Sequence, residues 1–176
     1  FDDLPTYGHE SLEAALQADQ VAAEAADLGF DPEELRAPNR PLALARMIDL
    51  GDRHVEIVHF GPGHTAGDVV VIVPDADVIV TGDLYEQSAP PAMGADCHLK
   101  AWPVALDGIL GLVNERTLLV PGHGEPFDRV FAFTQRAEIS AVYGQVEYLI
   151  AQGVKLDDAL KTGEWQYDDD TIAAVL

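Results

Sequence analysis

The chain has 176 residues, 48% hydrophobic and 23% charged, a composition and length that suit one globular domain with a real core and leave too little for two ordinary ones. Its net charge of −21 repels phosphate backbones and anionic lipid, which argues against nucleic acid and membrane surfaces as partners. The single cysteine, Cys97, excludes an internal disulfide framework and a Cys-rich zinc module, and no apolar run reaches the length of a membrane span. No charged-then-apolar signal segment opens these 176 residues; the cytoplasm is the expected compartment. Phe1 stands where Met would, and Thr171 to Leu176 look like the middle of a helix. Both ends read as cut, so residues 1–176 are expected to be one truncated domain.

Residues Glu10 to Leu28 are rich in Ala, Glu, Leu and Gln, and their apolar positions predict a helix. Gly29 to Pro41, with three prolines, reads as a loop. Strand-like runs follow at Leu42–Leu50, Arg53–Phe60, Asp68–Val73 and Asp77–Thr81, the last two joined by the tight turn Pro74-Asp75-Ala76-Asp77. Tyr85 to Lys100 is irregular. Leu99–Val113 predicts an amphipathic helix, Arg116–Val120 a short strand, and Phe127–Gln152 a long helix stopped by Gly153. Short helical pieces are expected at Asp157–Thr162 and from Asp170 onward, with an aspartate of the run Asp168-Asp169-Asp170 as N-cap. Strands followed by alternating helix and strand predict an α/β or α+β layer, a mixed sheet flanked by helices.

Three polar residues share one setting, each at or just past the end of a predicted strand and each beside glycine: Gly63-His64, Gly82-Asp83 and Gly122-His123-Gly124. Loops on a rigid sheet edge are where sites are built, and glycine lets a ligand approach the chain closely. Two imidazoles and a carboxylate suit a divalent ion such as Zn²⁺, Fe²⁺ or Mn²⁺. Any one of the three alone reads more readily as a turn or structural residue; the matched settings together favour ligands. The irregular stretch after Asp83 is the expected substrate loop, with His98 and Met93 its candidates. Trp102 and Trp165 read as packing residues, and His9 as structural.

The order Gly63-His64-Thr65-Ala66-Gly67-Asp68, then Val80-Thr81-Gly82-Asp83, then Val120-Pro121-Gly122-His123-Gly124 resembles the second half of the metallo-β-lactamase fold superfamily, over roughly residues 42–152. The resemblance implies an αββα sandwich, here partial, with a metal site at the sheet edge that usually holds two ions, zinc above all. By motif position it implies that His64 binds the first ion, Asp83 bridges both, and His123 binds the second. Thr65, Asp68 and His59 become candidates to support those ligands, although Asp68 also reads as a turn former and His59 as a strand residue packing its ring.

The family's principal motif, His-x-His-x-Asp-His, is absent: the six histidines are His9, His54, His59, His64, His98 and His123, and no pair has the His-x-His spacing. The expectation is therefore a metal-dependent hydrolase of an ester, thioester, lactone or amide in a small-molecule substrate. This chain alone would be inactive, with half the ligands supplied upstream. Two other readings stay open: an iron-dependent oxidoreductase of the same fold, and a metal-free binding or scaffolding domain descended from such an enzyme. A half-sandwich would also leave an apolar sheet face without its partner layer, which predicts aggregation or a homodimer through that face.

Overall fold

The structure is a computed structural model and describes residues 4–17 and 19–176. Among the described residues, seven strands and six helices run in the order β1 (Tyr7–His9), α1 (Leu12–Ala15), α2 (Asp19–Asp27), β2 (Arg40–Leu42), β3 (Ala45–Asp49), β4 (His54–Val58), β5 (Val70–Val73), β6 (Val78–Glu86), α3 (Trp102–Leu110), β7 (Leu118–His123), α4 (Arg129–Ala151), α5 (Leu156–Thr162) and α6 (Asp169–Ala173). β1 and β2 form a small parallel pair. The other five make a mixed sheet in the order β3-β4-β5-β6-β7, antiparallel as far as β6 and parallel between β6 and β7.

Alternation along the central strands sorts their side chains onto two faces. Val70 and Ile72 of β5, Ile79 and Thr81 of β6, and Leu119 of β7 point into the core. There they meet Trp102, Leu106 and Ile109 of α3 and Ala132, Ile139 and Val142 of α4. The buried positions of α4, Ala132, Gln135, Ile139, Val142 and Leu149, recur at intervals of three, four and seven residues, the spacing that puts one helix face against a sheet. Asp128 caps that helix by accepting from Val130 N–H and Phe131 N–H. Gly153, at φ +70°, ends the wrap after it, with Val154 N–H donating to Leu149 C=O.

The other face of the central strands is also aliphatic. Cross-strand pairing sets Val71, Val80 and Val120 in one row and Val73, Val78 and Leu118 in the next. In these rows Val80 is 37% exposed and Leu118 44% exposed, whereas Val70, Ile79 and Leu119 beneath the helices are at most 3% exposed.

Several expected boundaries move. The helix expected over Glu10–Leu28 divides into α1 and α2, and residue 18 between them lies outside the described residues. The strand expected over Leu42–Leu50 divides at a bend after Leu42. β6 runs five residues past Thr81, because the parallel partner β7 continues to pair with it beyond a register irregularity at Gly82. No helix among the described residues is long and apolar enough to cross a membrane.

Candidate metal centre

The loop Gly61–Asp68 is held from within. The Asp68 carboxylate accepts from Gly63 N–H (3.0 Å), from Thr65 N–H (3.0 Å) and from the Thr65 hydroxyl (2.8 Å). Thr65 Oγ1 in turn accepts from Gly67 N–H (3.1 Å). One carboxylate thus closes the turn around His64 and satisfies backbone donors that the turn leaves without a strand partner. His59 lies just past β4 and donates from Nδ1 to the Asp68 carbonyl at 2.7 Å, a role fixed by the carbonyl's being only an acceptor. Its ring stacks on that of His9, with centroids 3.9 Å apart. Ser11 and Leu12 pack so closely on Gly67 that a Cβ there would lie 2.7 Å from Ser11 Oγ. Thr65, Asp68 and His59 therefore all brace the loop.

His64 is oriented by two contacts. Its Nδ1 lies 3.1 Å from the Ala92 carbonyl; since that oxygen can only accept, Nδ1 carries the proton and Nε2 presents its lone pair. The ring edge meets Trp102, centroid to centroid 5.8 Å. Trp102 is fully buried and is itself fixed by donating from Nε1 to Leu84 C=O at 3.1 Å. Trp102 is thus the packing residue expected, and also the wall against which His64 is set. A Cβ at Gly63 would lie 2.5 Å from Leu84 and 3.0 Å from Trp102, so glycine beside His64 is what lets the loop lie against this wall.

Asp83 sits inside β6 just past Gly82, whose φ of +56° is the left-handed turn that breaks the ladder. His123 is the last residue of β7. The turn after it is fixed by Gln87, whose side-chain oxygen accepts from Glu125 N–H (2.9 Å), while Gln87 N–H donates to His123 C=O (3.1 Å). These elements bring the three residues together in a chain. His64 Nε2 lies 3.7 Å from one Asp83 carboxylate oxygen and His123 Nε2 lies 3.6 Å from the other. Both gaps are too long for hydrogen bonds. Two donors on one zinc, at bond lengths of about 2.0–2.2 Å, stand ~3.4 Å apart in tetrahedral geometry, so each gap is close to that of two ligands sharing an ion.

The donor types fit a borderline divalent ion; their number falls short. Each of the two positions has one imidazole and one carboxylate oxygen, and among the described residues no group of three or more His, Cys, Asp or Glu is placed to hold a single ion. Beside Asp83 opens a cavity of about 590 Å³, bounded by Ser11, Leu12 and Ala15 on one side and by His64, Asp83 and His98 on the other. His98 of the expected substrate loop does face it. Met93 does not: it is 2% exposed and belongs to the core, because the loop after β6 turns back under the helices, and that expectation is corrected. Sequence reasoning passed over the Ala92 carbonyl and the α1 wall. Neither leaves a signal, one being a backbone atom and the other a face of an ordinary helix.

The description "Metallo-beta-lactamase superfamily" belongs to the family model that matches residues 3–127. The chain belongs to the metallo-β-lactamase superfamily. Among its relatives, a "Metallo-beta-lactamase type 2" of Bacillus cereus is 31% identical over 84 residues, 47% of this chain and 33% of that protein. "Metallo-beta-lactamase IND-1" of Chryseobacterium indologenes is 28% identical over 78 residues, 43% of this chain and 33% of that protein. The matched segment thus spans about a third of the length of these relatives. A solved metallo-β-lactamase from Pontibacter korlensis superposes with a TM-score of 0.53 at 24% identity, covering 77% of this chain and 67% of that one. The VMB-1 structure superposes at 0.58 with 16% identity, over 80% and 58%. At such identities the superpositions establish the shared fold.

Proposed function

We propose that this chain carries part of the metal site of a metal-dependent hydrolase acting on an ester, thioester, lactone or amide bond in a small molecule, with zinc as the expected metal. The observation that carries the reading is the position of Asp83, one carboxylate oxygen toward the Nε2 of each histidine. His64 and Asp83 would hold one ion, Asp83 and His123 a second. When bound, such ions lower the pKa of a coordinated water and polarise a scissile carbonyl. The chain's own residues supply the frame. His64 offers a lone pair of set direction because Ala92 C=O takes its other ring proton, a pairing that in metal sites fixes the tautomer and the ring. Asp68 and Trp102 hold the loop and ring in place.

Stable protein zinc sites take three or four protein ligands, and His64, Asp83 and His123 give two to each ion. The rest would come from a His-x-His-x-Asp-His segment outside these 176 residues. The test is metal content of the full gene product by elemental analysis. Two equivalents that fall, together with hydrolysis, on His123→Ala and on Asp83→Ala support the reading. Full occupancy retained in both variants would overturn it.

The ligand shortfall also favours a second reading, a metal-free binding or scaffolding domain descended from such an enzyme. The same experiment separates them, since that domain would bind no stoichiometric metal in the full gene product. Iron in place of zinc would point instead to an oxidoreductase of the same fold.

A further inference from the structure

The cavity beside Asp83 has a one-sided charge. Three carboxylates line it, those of Asp68, Asp83 and Asp96. None of the chain's ten Lys and Arg residues does, and all ten lie among the described residues. Three of the arginines are tied elsewhere, to Asp75, Asp77 and Asp107. The three cavity carboxylates are not equivalent. Asp68 is used up by the loop's own donors, and Asp83 faces the two histidines. Asp96 remains, exposed, on the loop that also sends His98 to the cavity. That loop is not free to swing away: His98 N–H donates to Gly63 C=O at 2.8 Å, and Trp102 N–H to His98 C=O at 2.9 Å. A carboxylate on a braced loop is a fixed negative charge at the cavity rim, reinforced by a chain of net charge −21.

We propose that Asp96 is a specificity-determining residue, selecting substrates whose non-reacting end is cationic or neutral and rejecting those whose non-reacting end is a carboxylate or phosphate. Bound divalent ions would bring positive charge to the reacting bond at Asp83. They leave the sign at the Asp96 rim to the protein, and the protein offers an anion there and no cation. The only other titratable side chain of this loop lining the cavity is that of His98.

The inference rests on the hydrolase reading for its substrate, so its test has two arms. In the first, the full metal-loaded gene product hydrolyses three acetate esters at pH 8: 4-(trimethylammonio)phenyl, phenyl and 4-carboxyphenyl acetate. Water adds to the acetyl carbon, the bond to the phenol oxygen breaks, and acetate and the phenol leave. Comparing the wild type with Asp96→Asn cancels the esters' unequal reactivity. The expected result is that the ratio of kcat/KM for the cationic over the anionic ester falls about tenfold in Asp96→Asn, the size of one unscreened charge near a protein surface, with the neutral ester nearly unchanged. A ratio that stays the same overturns the proposal.

The second arm needs no turnover. The 176-residue chain is titrated with phenyltrimethylammonium and, separately, with benzoate while the backbone amide signals of Asp96 and His98 are followed by NMR. Saturable shifts with the cation only, abolished in Asp96→Asn, support the proposal; shifts with benzoate, or with neither, overturn it. Absence of hydrolysis in the first arm with cation binding in the second would sink the hydrolase reading alone and leave the charge selection standing.

Discussion

The carboxylate of Asp83 occupies the space that any side chain at position 122 would need: a Cβ built on Gly122 would lie 1.7 Å from Asp83 Oδ1 and 2.9 Å from its Cγ. The backbone at Gly122 is not among the glycines with positive φ, so an alanine there is conformationally permitted and its only conflict is with Asp83. The carboxylate is 44% exposed and has solvent to turn into. Gly122→Ala is therefore expected to fold, with Tm within a few degrees of the wild type, and to lose metal from the full gene product as thoroughly as Asp83→Ala does. Elemental analysis beside a melting curve checks both halves of that expectation.

Asp68 organises the loop without facing either histidine's Nε2. Asp68→Ala leaves Thr65 N–H without its acceptor and Gly63 N–H with only the Thr65 carbonyl, a loss of charge-assisted bonds expected to cost about 2 kcal/mol of stability in urea unfolding. Metal affinity of the full gene product should fall by about 10- to 100-fold, the usual effect of removing a group that orients a ligand. A wild-type affinity in a correctly folded Asp68→Ala protein would show that His64 is placed by Trp102 and Ala92 alone.

Tyr85 is fully buried against Phe127, ring centroids 5.2 Å apart, and its hydroxyl finds no hydrogen-bond partner among the described residues. Burial pushes its pKa far above the ordinary phenol value, with the nearby Asp107 carboxylate adding to the rise. A buried hydroxyl without a partner costs stability, so Tyr85→Phe is expected to stabilise the fold by about 1 kcal/mol. Destabilisation by a similar amount would mean that the hydroxyl is satisfied in solution.

Asp168 caps α6. Hydrogen bonds from the Thr171 side chain and from Thr171 N–H hold its carboxyl below the usual aspartate value. The unfolded chain therefore takes up this proton first as pH falls. The charged cap's contribution is complete above the ordinary aspartate range and is lost as pH drops through the folded value. Asp168→Asn keeps an acceptor oxygen but not the charge. Its Tm should lie below that of the wild type at pH 6, and the two should converge toward pH 3. A difference that stays constant across that range would assign the cap's effect to geometry and not to charge.

The three ligand candidates were legible because each had left a mark in its neighbours. Glycine stands beside His64, Asp83 and His123 where the backbone must turn or let another group approach, and Gly82 and Gly122 have those two roles in the structure. The central strands were legible from their Val and Ile runs. What escaped depended on contacts distant in sequence. β6 continues past Gly82 only because β7 lies beside it. The turn that ends α1 falls at Leu16 and Gln17 themselves, both good helix formers that signal no stop. Met93 was misread because an irregular loop usually lies in solvent, and this one folds into the core. Asp96, the cavity residue proposed above to select substrates, was passed over in favour of its neighbours. A single exposed acid in so acidic a chain carries no signal until the cavity beside it is known.

The double-sided apolar character of β5, β6 and β7 bears on how the chain finds its fold. In most sheets a one-residue slip between strands is rejected because it turns oily side chains to water. In this sheet a slip would exchange Val71 and Val80 for Ile72 and Ile79, one aliphatic face for another, and polarity alone would hardly object. The left-handed kink at Gly82 lies where the β6–β7 register shifts, a landmark that distinguishes one alignment of these two strands from its neighbours. The residue that aims Asp83 is then also a proofreading mark for strand pairing. Substitutions at Gly82 should accordingly lower the yield of correctly refolded protein as well as metal binding.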